Sequence, residues 1–152
     1  MSESLELITN DQTPEGLRNK IEQLEHTMFQ MHDRIIHIEP THHFSTGIYA
    51  REIFIPKGTT LTGKIHRTEH LNIISQGDIS VMTEHGIKRL KAPCTIVSKP
   101  GTKRVGYAHE DTVWTTIHGT NETDLVRLEE ELIAETHEAL LSPIETKRLG
   151  DI

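Results

Sequence analysis

The chain has 152 residues and a formal net charge of −7, with 34% apolar, 4% aromatic and 26% charged residues. That length fits one domain around a single core, and ten glycines and six prolines spread among β-branched residues exclude a disordered chain. No apolar run reaches the roughly 20 residues of a membrane helix, the N-terminus lacks the pattern of a signal peptide, and the lone Cys94 excludes an internal disulfide and any cysteine-based metal motif.

A soluble, cytoplasmic protein is therefore expected, and any metal site must be built from His and carboxylates. The charge is divided unevenly: residues 1–44 carry 3 basic and 8 acidic groups, residues 45–119 carry 10 and 6, and residues 120–152 carry 3 and 9. A basic centre between acidic ends fits either solvated acidic helices or an anionic ligand for the centre. Five of the eleven His, at positions 66, 70, 85, 109 and 118, fall in that centre.

In chain order, Thr13 reads as a helix N-cap and Pro14 as the first helical residue, predicting a helix over 14–32. Its apolar residues Leu17, Ile21, Leu24, Met28 and Met31 follow heptad spacing, which serves packing on the protein's own domain or self-association. From Arg34 to His118, short alternating or β-branched runs between Gly and Pro turns predict an all-β sandwich or barrel. The expected strands are 34–38, 47–55, 61–66, 69–75, 78–83, 87–91, 94–98, 103–108 and 112–118. After Gly119, Asn121 and Asp124 read as a cap. Leu125, Leu128, Leu132 and the run 139–141 give a helix an apolar side that covers the barrel, until Ser142-Pro143 ends it. The expected divisions are an N-terminal arm at 1–33, a barrel at 34–119 and a C-terminal helix and tail at 120–152.

The segment IPKGTTLTGKIHRTEHLNIISQGDISV places His66 and His70 four residues apart ahead of Gly77. It resembles the first motif of the cupins, small double-stranded β-helix (jelly-roll) barrels, across residues 45–118. In that resemblance His66 matches the second of the family's two His and His70 takes the place of its Glu, whereas Lys64 stands where the first His belongs. Lys99-Pro100-Gly101 echoes the second motif, with Arg104 in place of its His. The resemblance implies a divalent metal on His66 and His70, with His109 or His118 as a third donor. The two cations Lys64 and Arg104 would instead attract an anion. The resemblance turns Arg104, Gly106 and Ala108 inward, while alternation alone makes Val105 and Tyr107 the core residues. The run SKPGTKRVGYAHEDTVWTTIHGTNETDL is also similar to cupin-like proteins found in tailed-phage genomes, which implies a viral source and a host-cytoplasmic setting.

Even spacing puts His66 and His70 on one strand face, and Trp114, Thr116 and His118 on another. Trp114 reads as a core or subunit-contact residue or as a stacking surface for a ligand. Glu69, Tyr107 and Glu110 are the candidates for polarising substrate or moving protons, and Lys64, His66, His70, Arg104, Trp114 and His118 for ligand binding. His66, His70 and His109 form the candidate metal set. No nucleophile, phosphate loop or dinucleotide fingerprint stands out, and an acidic chain without a basic helix excludes nucleic acid as partner. The expectation is a homo-oligomeric cupin barrel binding a small polar or anionic molecule, with metal-assisted catalysis, sequestration of a nucleotide signal, and structural assembly all open.

Overall fold

The computed structural model describes residues 13–30 and 37–134. Helix α1 spans Pro14–Gln30, and Thr13 caps it by accepting from the Gly16 amide through Oγ1 at 3.1 Å. The strands are β1 Thr41–Ser45, β2 Ile48–Ile55, β3 Thr60–Thr62, β4 Ile65–His66, β5 His70–Gln76, β6 Asp78–Thr83, β7 Gly86–Lys91, β8 Cys94–Ser98, β9 Arg104–Ala108 and β10 Thr112–Gly119. Helix α2, Leu125–Leu132, follows, and a two-residue strand, β11 Ile133–Ala134, continues directly from it.

The strands form an antiparallel sheet in the order β1-β2-β10-β5-β8, a second in the order β3-β9-β6-β7, and a small pair β11-β4. Strands far apart in sequence are neighbours, as β10 is to both β2 and β5, which is the strand arrangement of a jelly roll. Alternation aims Ile55, Ile74, Trp114, Ile79, Val81 and Ala108 between the sheets, where they form the main core with Leu90. Helix α1 lies on the outer face of the four-stranded sheet against β6. Lys103 Nζ donates to Glu25 at 2.6 Å, and Arg18 stands 3.9 Å from the buried Glu84.

The heptad stripe is divided. Leu17 and Ile21 are buried, so the first turns pack on the protein's own domain, while Leu24 is half exposed. The side chain of Met28, all of Met31, and the 139–141 run with Ser142-Pro143 lie outside the described residues.

Three expectations need correction. Residues 37 and 38 form no strand, residues 34–36 lie outside the described set, and the first strand is Thr41–Ser45. The expected strand 61–66 is two short strands, interrupted at Gly63-Lys64. Tyr107 is not a core residue: it is 44% exposed, while Arg104, Gly106 and Ala108 face inward as the resemblance implied. Alternation misled because one face of β9 is covered only in part, Val105 being buried there and Tyr107 exposed, while Gly106 and Ala108 are buried on the other.

Gly77 joins β5 to β6 at φ +101°, and a Cβ there would stand 2.4 Å from Thr112 Oγ1 and 2.5 Å from the Asp111 carbonyl. Left-handed backbone and a clash with main chain act together, so Gly77→Ala should cost about 3 kcal/mol or more. Urea denaturation measures it, and a loss below about 1 kcal/mol would mean that the turn has room.

Candidate metal centre and ligand cavity

His66 on β4, His70 at the start of β5 and His118 near the end of β10 converge between the sheets. Strand β11 fixes β4 from one side, with Ile133 opposite His66, while the His66 carbonyl accepts from the Gly101 amide at 2.9 Å. Pairing of β10 with β2 sets His118 opposite Tyr49. The ring centroids are 4.3 Å apart for His66 and His70, 5.0 Å for His66 and His118, and 4.8 Å for His70 and His118. One ring nitrogen from each lies within 4.8 Å of the other two.

His70 Nδ1 is 2.9 Å from the Thr68 carbonyl. A carbonyl only accepts, so Nδ1 carries the proton and Nε2 presents its lone pair. That Nε2, with Nδ1 of His66 and Nδ1 of His118, is buried without a hydrogen-bond partner among the described residues. Burial, followed by the neighbouring His70 and His118 and then Arg104 and Arg51, pushes the His66 pKa down to about 2. Burial and His70 push His118 down to about 4, and burial also lowers His70 against the opposing bond to Thr68. All three rings are neutral at pH 7, the form that ligates a metal. Two nitrogens on one Zn²⁺ stand at most about 4.2 Å apart, so the trio is within a small side-chain rotation of holding one ion. A set of neutral imidazoles with unused lone pairs, one oriented by a backbone carbonyl, fits a divalent transition metal.

His66 and His118 also line a cavity of about 470 Å³, and His70 is not part of its lining. Helix α2 contributes Leu125, Leu128, Glu129 and Leu132 to its lining. Asp124 caps that helix, its Oδ1 accepting from the Val126 and Arg127 amides at 3.0 and 3.1 Å. Arg67 ties the end of α2 down, its amide donating to the Leu132 carbonyl at 2.7 Å and its Nε to the Ile133 carbonyl at 3.0 Å.

A buried polar chain runs through the wall. Asn72 Oδ1 accepts from Trp114 Nε1 at 3.0 Å and from Thr116 Oγ1 at 3.3 Å, and Asn72 Nδ2 donates to Ser98 Oγ at 2.6 Å. Arg104 crosses from the four-stranded sheet to donate to the same Ser98 hydroxyl, with its guanidinium carbon 5.8 Å from the centre of the Trp114 ring. Trp114 is thus a core residue that also forms cavity wall.

The other predicted residues are placed elsewhere. His109 does not join the imidazole trio: it lies just past the end of β9, its ring edge-on to that of the exposed Tyr107, and its Nε2 is 2.6 Å from Ser80 Oγ. The third imidazole is that of His118. Glu69, Tyr107 and Glu110 are exposed and none lines the cavity, so none is placed to exchange a proton with a ligand there. Lys64 borders the cavity, but its ammonium is exposed and paired with Glu129 of α2. The second guanidinium in the cavity is Arg51, which sequence reasoning missed. The signal was present in β2, where Tyr49, Arg51, Ile53 and Ile55 alternate on one face; Asn72, two residues after His70, was readable the same way.

No family model matches the chain, and no curated protein matches it either. Among solved structures, KdgF from Halomonas sp. is similar at 18% identity and a TM-score of 0.49, over 60% of this chain and 87% of that one. A cupin-2 domain protein from Shewanella frigidimarina is 13% identical with a TM-score of 0.47, over 62% and 92% of the two chains. The EutQ protein of Clostridium difficile is 9% identical with a TM-score of 0.47, over 57% and 70%. These neighbours are cupin-type proteins. The likeness is one of fold, and nothing about this chain's ligand follows from it.

Proposed function

We propose that the protein holds one divalent metal ion on His66, His70 and His118 and binds a small molecule in the cavity onto which His66 and His118 open. The observation that carries this reading is the convergence of three imidazoles, each with a ring nitrogen within 4.8 Å of the others and each with a buried nitrogen that lacks a hydrogen-bond partner among the described residues. Each such group costs about 1–3 kcal/mol when buried alone, so three within one small volume call for a shared partner. When bound, the metal would act as a Lewis acid toward an oxygen of the ligand. The chain's own part is to orient His70 through Thr68 and to keep the imidazoles neutral by burial.

Dialysis of metal-free protein against Zn²⁺, Ni²⁺ or Mn²⁺, followed by elemental analysis, should find one equivalent bound. Binding should fall by tenfold or more in His66→Ala and His118→Ala and be unchanged in His109→Ala, given the 10- to 100-fold that even residues supporting a ligand contribute. No retained metal, or loss in the His109 variant alone, would overturn the assignment.

A further inference from the structure

Three cationic side chains, Arg51, Lys64 and Arg104, and one carboxylate, Glu129, line a largely apolar cavity, and Lys64 and Glu129 pair with each other. Arg51 enters from β2 and Arg104 from β9. Arg51 and Asn72 flank Thr116 in the strand register, and Asn72 shares the Ser98 hydroxyl with Arg104, so both guanidiniums belong to the same region of the cavity. Among the described residues no carboxylate forms an ion pair with either guanidinium, although Arg104 is buried enough that its pKa is lowered. Glu84 reaches Arg104 only by long-range attraction, and a largely buried guanidinium with no carboxylate in contact is costly. With Glu129 taken up by Lys64, direct pairing of the two guanidiniums falls to an anion from outside the chain.

The remaining donors decide which anion. Asn72 Nδ2 is committed to Ser98, and the Thr116 hydroxyl to Asn72. The Tyr49 hydroxyl is 2.7 Å from His42 Nδ1, and Lys64 is held by Glu129. The first turn of α2 is already capped by Asp124, so its amides are not free for a phosphate. Two guanidinium forks can bind either a phosphate or a carboxylate, but a dianionic phosphate costs more to desolvate beside an apolar wall than a monoanionic carboxylate does, which favours the carboxylate. Beyond the forks the wall is Ile53, Leu61, Ile79 and Val81, with Leu132 above.

We infer that the ligand is an amphipathic carboxylate, its oxygens held by Arg51 and Arg104 and its apolar body lying along Ile53, Leu61, Ile79 and Val81 beneath Leu132. The inference rests on the reading that this cavity binds a small molecule and is independent of the metal. Titration calorimetry on the full chain kept in a chelator tests it, with butanoate, hexanoate, octanoate, octanol and inorganic phosphate as probes.

Octanoate should bind, with affinity rising roughly three- to fourfold per methylene from butanoate onward. Arg51→Met and Arg104→Met should each weaken it at least tenfold. Arg104→Lys, which keeps the charge and loses the fork, should fall between wild type and Arg104→Met; this variant covers the case in which loss of the Ser98 bond disturbs folding. Octanol binding as well as octanoate, phosphate binding more tightly, or unchanged affinity in both Met variants would overturn the inference. Failure of octanoate in protein that still takes up one Zn²⁺ would reject the carboxylate and leave the metal reading standing.

Discussion

Acidification from pH 7 to 4 should unfold the metal-free protein, with stability falling by on the order of 3 kcal/mol per pH unit between about pH 6 and 4. His66 and His118 have folded pKa values of about 2 and about 4, below the ordinary 6.5. Between those limits the unfolded chain binds protons that the folded chain refuses. The contribution is complete above pH 6.5 and drains away as pH falls toward the folded values. Each fully engaged imidazole contributes about 1.4 kcal/mol per pH unit, and His70 shifts in the same direction. Over those two pH units the loss is about 6 kcal/mol, which unfolds a domain near the lower end of the ordinary range of about 5–15 kcal/mol. The fluorescence of Trp114, the lone tryptophan, in urea series at successive pH values measures the slope. His118→Gln should flatten it by about 1.4 kcal/mol per unit, and saturating Zn²⁺ should move the transition to lower pH, since protons and metal compete for the same nitrogens. Constant stability from pH 6.5 to 4.5 would mean that the three rings are hydrated and not buried together.

Legibility varied with the kind of signal each segment carried. Strands Asp78–Thr83 and Cys94–Ser98 were readable to the residue because Gly77 and the Lys99-Pro100-Gly101 turn bound them chemically. Strand Thr41–Ser45 was missed because its residues are exposed or only half buried, so it has no core-facing alternation to read. The shared facing of His66 and His70 follows from their even spacing. The choice of His118 over His109 depends on how β10 and β9 register against their neighbours, which is a long-range property. The charge pattern was legible only as an excess. Lys103 is paired with Glu25, Lys64 with Glu129, and Arg67 donates to a carbonyl of the C-terminal segment. Only Arg104 among the basic residues singled out delivers its charge to the cavity, joined there by Arg51.

Replacing Asn72 by Leu should destabilise the fold by about 3 kcal/mol, and replacing it by Asp should restore much of that stability while abolishing carboxylate binding. Asn72 is 1% exposed and serves three partners: Trp114 Nε1, Thr116 Oγ1 and Ser98 Oγ. Leucine has similar bulk but leaves the indole N–H and two hydroxyls to find partners inside the wall, at about 1–3 kcal/mol for each that fails. The hydroxyls can rotate toward the cavity, whereas the indole N–H is fixed by a packed ring and bears most of the cost. Aspartate keeps an acceptor for Trp114 and Thr116, and the Ser98 hydroxyl can turn to donate to its second oxygen. It also sets a negative charge one hydroxyl away from the Arg104 guanidinium, giving that cation an internal counter-charge. An incoming carboxylate then meets a neutralised fork and a like charge, so octanoate affinity should fall at least tenfold with the fold intact. Urea denaturation and calorimetry on the two variants separate these effects. A cost below about 1 kcal/mol for Asn72→Leu would show that the chain from Trp114 to Arg104 is not what holds the wall together. Undiminished octanoate binding in Asn72→Asp would place the anion away from Arg104.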